Sequence, residues 1–170
     1  MSGNIKHIGW IGTGVMGKSM AKHLIEKGYT MSVFTRTKSK AEELINLGAS
    51  FKSPIEIAQE CDALFLMLGY PKDLRNVLFL EEGGILQHLK TGSILVDHTT
   101  SAPGLAIEIH DTAKLRGVSC IDAPVSGGDV GAKNGQLAIM CGGDKETFEK
   151  VSLLINFVGI SYLGSLWKKY

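Results

Sequence analysis

Ile5-Lys6-His7-Ile8-Gly9-Trp10-Ile11-Gly12-Thr13-Gly14-Val15-Met16-Gly17-Lys18-Ser19-Met20-Ala21-Lys22-His23-Leu24-Ile25-Glu26-Lys27-Gly28 changes its hydrophobic period halfway along. Ile5 to Ile11 is a short apolar run ending in glycine, the pattern of a buried strand. From Val15 to Lys27 the apolar residues Met16, Met20, Ala21, Leu24 and Ile25 share one helical face, with Lys18, Lys22 and Glu26 opposite at i, i+4 spacing. Gly28 supplies the helix stop. Between strand and helix stands Gly12-Thr13-Gly14-Val15-Met16-Gly17, a G-x-G-x-x-G string. Gly12 permits a tight turn, Gly14 has no side chain to obstruct a pyrophosphate, and Gly17 lets helix and strand approach closely. The unpaired N–H groups of the first helical turn then face an anion, with the positive end of the helix behind them. In a chain with 21 glycines the string alone is weak. Strand–turn–helix context makes it a dinucleotide site.

The next strand, Thr30 to Phe34, bears on which dinucleotide. An acid at its end would accept the adenosine 2′-hydroxyl of NAD. The residues there are Thr35-Arg36-Thr37-Lys38-Ser39-Lys40, with no acid before Glu42. A 2′-phosphate needs a cationic, hydrogen-bonding cradle, which Arg36 with Thr35 and Thr37 can form. NADP is therefore expected over NAD.

Alternation of strand and helix continues outward. Helix is expected over Lys38–Leu47 with Gly48 as its cap, and Pro54 opens a short helix where proline is tolerated. Ala63–Leu68 has no polar alternation, as in a parallel strand covered on both faces. Helical segments follow around Asp73–Phe79 and Ile85–Leu89, then a strand at Ser93–Val96 and a helix from Pro103 to Leu115. Val118–Asp122, Leu137–Met140 and Ser161–Leu163 read as strands, with Lys145–Phe157 helical. Parallel strands need crossover connections, so this order implies an α/β domain with a doubly wound, mostly parallel sheet. Its expected bounds are residues 1–164, with 165–170, including Trp167, Lys168, Lys169 and Tyr170, as a frayed tail.

Composition excludes other classes. The 170 residues carry 18 Lys+Arg against 17 Asp+Glu, for a formal net charge of +1. Without a basic stripe, nucleic acid is not an expected partner. Apolar residues make up 44%, yet no run reaches the roughly 18 needed to cross a membrane. Cys61, Cys120 and Cys141 lie in apolar segments without metal-ligand spacing. They read as buried thiols in the cytoplasm, with no metal site.

Three further strings each follow an expected strand: Met67-Leu68-Gly69-Tyr70-Pro71, Asp97-His98-Thr99-Thr100-Ser101, and Asp122-Ala123-Pro124-Val125-Ser126-Gly127-Gly128. With the glycine turn and Thr35-Arg36-Thr37, they resemble the β-hydroxyacid dehydrogenase family, notably its 3-hydroxyisobutyrate dehydrogenase-like and glyoxylate/succinic semialdehyde reductase members. The resemblance runs from Ile8 to about Gly164, and Asp-Ala-Pro-Val-Ser-Gly-Gly is its most specific element. It implies a Rossmann domain that transfers hydride between NADP(H) and a small hydroxy acid or its oxo or semialdehyde partner. By the same resemblance, residues 12–17 hold the pyrophosphate and Arg36 and Thr37 the 2′-phosphate. Leu68 and Gly69 line the cofactor, and Thr100 sits near the nicotinamide ribose. Ser126, Gly127 and Gly128 receive the substrate carboxylate, with Ser126 as the catalytic candidate. Two glycines after a serine can also converge backbone N–H groups on an anion, although a plain loop before a helix fits equally well from the string alone. His98, Asp97 and Asp122 read as packing or bracing groups.

Family members continue into an all-helical domain whose first long helix carries the acid–base lysine, entered through G-x-x-G-x-G-x-x-x-K. From Gly164 that lysine falls past Tyr170, and Lys168 lacks the glycine context. The chain is thus expected to be incomplete as a catalyst: a fragment, splice product or truncated relative. The alternative is a non-catalytic dinucleotide-binding or regulatory module. The face left by the helical domain invites self-association as a homo-oligomer.

Overall fold

The computed structural model describes residues 5–80 and 83–164. Its first unit is the expected one: strand β1 (His7–Ile11), helix α1 (Val15–Glu26) and strand β2 (Thr30–Phe34). Met20, Ala21 and Leu24 of α1 are buried with Gly17, one face at i, i+3, i+4 and i+7. On its opposite face, Lys18 and Lys22 lie 3.1 and 3.0 Å from Glu43, tying α1 to α2 (Glu42–Asn46).

The chain continues through β3 (Ser50–Phe51), α3 (Pro54–Glu60), β4 (Ala63–Leu66), α4 (Pro71–Arg75), β5 (Ile94–Asp97), α5 (Pro103–Leu115) and β6 (Ser119–Asp122). It closes with β7 (Val125–Ser126), α6 (Gly128–Asn134), β8 (Leu137–Gly143), α7 (Lys145–Val158) and β9 (Gly159–Leu163). Strand order is β3-β2-β1-β4-β5-β6-β8-β7, with β9 beside β8. From β3 to β6 all neighbours run parallel, whereas β8 is antiparallel to β6 and β7. The fold is a Rossmann-like, mostly parallel sheet, wound in both directions from β1.

Helices cover both faces. One core joins Trp10 and Phe65 to α1, α2, α6 and α7 through Leu24, Leu44, Ala132 and Leu154. The other joins Ile11 and Leu66 to α3, α4 and α5 through Ile57, Leu74 and Ile109. Gly9 admits this second layer, since a Cβ there would run into the Ile57 side chain. Ser53 starts α3 with a capping box: its hydroxyl accepts from Glu56 N at 3.3 Å and its own N–H donates to Glu56 Oε2 at 2.8 Å.

Several boundaries differ from expectation. The helix expected over Lys38–Leu47 is a 3-10 turn (Lys38–Ala41) followed by α2. The helical segment expected around Asp73–Phe79 starts two residues earlier, as α4 passing into a π turn, and the one around Ile85–Leu89 is a 3-10 turn over Ile85–His88. The strand read as Leu137–Met140 extends to Gly143, because Gly142 and Gly143 pair with Asp122 and Ile121. β3, β7 and α6 are too short to show a hydrophobic period. The expected tail at 165–170 lies outside the described residues. No helix among the described residues is long and apolar enough to cross a membrane.

Candidate dinucleotide site

In-register pairing aligns the carboxyl ends of the parallel strands. Phe34 faces Ile11, Ile11 faces Leu66, Leu66 faces Asp97, and Asp97 faces Asp122. Every string singled out in the sequence begins on this line or immediately beyond it, so the strings form one ledge. Backbone bonds stitch it together: Gly12 N to Phe34 O at 2.9 Å, Met67 N to Ile11 O at 3.0 Å, His98 N to Leu66 O at 2.9 Å, and Ala123 N to Asp97 O at 2.7 Å. Crevices at this edge of an open α/β sheet, where strand order reverses about β1, are the usual ligand sites of such folds.

A crevice of about 290 Å³ opens at that reversal. Gly12, Thr13 and Gly14 form one wall, Thr35, Arg36 and Thr37 a second, and Leu68 and Gly69 a third. Gly12 has φ +102°, and a Cβ there would strike the Met67 carbonyl. A Cβ on Gly17 would strike the Gly12 carbonyl, so this glycine lets α1 close on the turn itself. Gly14 differs: its φ is −65° and a Cβ would meet nothing within 4 Å. The space is open on the side where the helix presents its free N–H groups. Trp10 braces the turn from below, its indole N–H donating to Gly12 O at 3.0 Å while its ring stacks on Phe65. Thr13 is buried and its hydroxyl has no partner among the described residues, leaving one polar atom at the turn available. Bare amides, open space at Gly14 and an uncommitted hydroxyl suit a pyrophosphate.

Val15, Met16 and Gly17 open α1 beside the crevice but do not line it. Thr100, Ser126, Gly127 and Gly128 lie farther along the ledge, outside this cavity and exposed. Gly127 and Gly128 have φ of +136° and +63° and lead into α6, which is anchored to α1 by His23 Nε2 2.8 Å from Ala132 O. Thr99 holds the neighbouring loop, its hydroxyl accepting from Leu68 N at 3.0 Å. His98 is fully buried, stacks on Trp10 and Phe65, and holds Nδ1 2.7 Å from Ala123 O. With the acceptor there a carbonyl, Nδ1 is the protonated nitrogen. Burial pushes its pKa down to about 4, so the ring is neutral and braces the loop.

Lys40 and Asp73 also line the crevice. Lys40 had a signal in the basic run after Arg36, whereas Asp73 had none, because α4 reaches this wall only through the fold. Among the described residues no group of three or more His, Cys, Asp or Glu could hold a metal.

Fold and crevice together define a dinucleotide-binding α/β domain. The family described as the NAD binding domain of 6-phosphogluconate dehydrogenase matches residues 7–164. A mitochondrial 3-hydroxyisobutyrate dehydrogenase-like protein of Arabidopsis thaliana is 50% identical, over 95% of this chain and 49% of its own length. A chloroplastic glyoxylate/succinic semialdehyde reductase of the same plant is 38% identical, over 94% of this chain and 45% of its own. Among solved structures, Psf3 in complex with NADP+ and 2-OPP superposes with a TM-score of 0.87 at 27% identity, covering 95% of this chain and 58% of that one. The chain belongs to the β-hydroxyacid dehydrogenase family, an oxidoreductase family, and corresponds to its amino-terminal, nicotinamide dinucleotide-binding domain. It spans about half the length of the curated relatives it matches.

Proposed function

We propose that the chain is the NADP(H)-binding half of an oxidoreductase that interconverts a small hydroxy acid with its oxo acid or semialdehyde. The observation that carries the cofactor reading is the crevice itself, a glycine turn facing Arg36, Thr35, Thr37 and Lys40 across an open cavity. A bound nicotinamide would supply or accept the hydride. The residues of this chain bind and orient. Amides of residues 13–17 hold the pyrophosphate, and Arg36 with its threonines holds the 2′-phosphate. Leu68 and Gly69 form a wall for the cofactor, and Thr100 reaches the nicotinamide ribose. Ser126 donates its hydroxyl to the substrate carboxylate, and Gly127 and Gly128 add backbone N–H groups. Support for this last part is their exposure and their position on the same ledge, just beyond the strand paired with Asp97.

Two measurements test the reading. Arg36→Ala should weaken NADPH binding about ten- to a hundredfold, the loss of a charge-assisted hydrogen bond worth about 1.5–3 kcal/mol, and leave NADH nearly unchanged. Equal losses for both cofactors would remove Arg36 from the phosphate site. Oxidation of NADPH with glyoxylate, succinic semialdehyde or methylmalonate semialdehyde reports on catalysis. With the chain joined to the helical domain of a relative, turnover supports the oxidoreductase reading, and cofactor binding without turnover supports a non-catalytic dinucleotide-binding module instead.

A further inference from the structure

The adenosine end of the crevice contains a carboxylate that the strand-end sequence lacks. Arg36 Nη1 stands 3.4 Å from Asp73 Oδ1, and both side chains line the cavity. The two partners differ in freedom. The Arg36 side chain is 83% exposed and that of Asp73 only 23%. Asp73 sits in the first turn of α4, behind Pro71, and its Oδ2 lies 3.8 Å from where a Cβ on Gly69 would be. The carboxylate is therefore the fixed member of the pair and the guanidinium the movable one.

An acid beside the adenosine ribose does two things. It accepts a hydrogen bond from a free 2′-hydroxyl, and it repels a 2′-phosphate. In NAD-binding units of this fold the acid stands about 20 residues beyond the glycine fingerprint. Here Thr35-Arg36-Thr37 occupies that stretch, and the acid arrives from a different βα connection.

We infer that Asp73 is a specificity-determining residue, retaining NADH as a ligand by accepting its 2′-hydroxyl and opposing the 2′-phosphate that Arg36 and Lys40 attract. On NADPH binding, Arg36 exchanges Asp73 for the phosphate. On NADH binding the Arg36–Asp73 pair persists and the carboxylate keeps a free lone pair for the ribose. This inference rests on the NADP(H) reading above and predicts a chain that binds both cofactors with modest discrimination.

A carboxylate in the first turn of α4 would also stabilise that helix end without touching any ligand. The test therefore reads a ratio. Dissociation constants for NADPH and NADH are measured by calorimetric titration on the protein, on Asp73→Asn and on Asp73→Glu. Glu146→Gln on α7, whose partner is Lys150, makes the same charge change away from the crevice. Asp73→Asn should tighten NADPH about five- to tenfold and weaken NADH about threefold, while Asp73→Glu keeps the original ratio. Asp73→Ser gives the same direction should the asparagine variant fold poorly. An unchanged ratio in both neutral variants overturns the inference, as do equal shifts for the two cofactors or the same shift from Glu146→Gln. A protein that binds neither cofactor overturns the NADP(H) reading and this inference with it, whereas one that binds both with an indifferent Asp73 loses only the inference.

Discussion

Gly14 and Gly17 stand three positions apart in one turn and fail differently when a methyl group is added. At Gly14 the backbone is ordinary and the space empty, so alanine fits the folded protein and removes some freedom from the unfolded one. Gly14→Ala should melt at or slightly above the parent temperature by calorimetry, yet bind dinucleotide at least about tenfold more weakly. At Gly17 the methyl group meets the Gly12 carbonyl, which is backbone and cannot swing aside. Gly17→Ala should therefore lose about 1–3 kcal/mol, measured by denaturant unfolding without ligand. A Gly14 variant that unfolds early, or a Gly17 variant that does not, contradicts the division of labour. Spacing already distinguished these glycines in the sequence, because a strand–turn–helix fixes within six residues which glycine faces the ligand and which packs on the turn. The free hydroxyl of buried Thr13 was not legible, since burial depends on what packs over it.

At the scale of elements, the strand ends were legible but their neighbours were not. Asp97 and Asp122 lie in separate sequence strings and become register partners when β5 and β6 pair. Burial beneath α5 raises the Asp97 pKa to about 7, with the Asp122 charge adding to the shift, and raises that of Asp122 to about 6. Asp97 Oδ1 accepts from Thr99 N at 2.9 Å, while Oδ2 has no partner among the described residues. Folding therefore favours the protonated acid. Asp97 contributes stability below the unfolded carboxylate range and loses it as pH rises through about 7. His98 acts in the opposite sense, its depressed pKa costing stability as pH falls from about 6.5 toward 4. Asparagine retains the acceptor for Thr99 and never ionises. The stability advantage of Asp97→Asn over the parent should be near zero at pH 4, grow to about 1–3 kcal/mol by pH 7, and then flatten. Paired thermal melts across that range check it, the His98 contribution cancelling in the difference. A pH-independent difference would place the carboxylate in water.

Over the whole molecule, the ledge joins segments from the first strand to the loop before α6, so a bound dinucleotide restrains much of the fold at once. NADPH at about a hundred times its dissociation constant should add about 2.7 kcal/mol and raise the melting temperature by about 5–10 °C. No shift at that excess would leave the crevice without its ligand. Alternation of strand and helix, the glycine turn, the buried parallel strands and the strings beyond Phe34, Leu66, Asp97 and Asp122 were all determined by the sequence alone. Each follows from periodicity or backbone freedom within a few residues. Tertiary structure decided that Asp73 faces Arg36, that Asp97 meets Asp122, that Lys18 and Lys22 reach Glu43, and that β8 runs antiparallel. Such pairings depend on which strand lies beside which. A parallel sheet sets that only after each crossover helix has packed, bringing together groups that no local pattern connects.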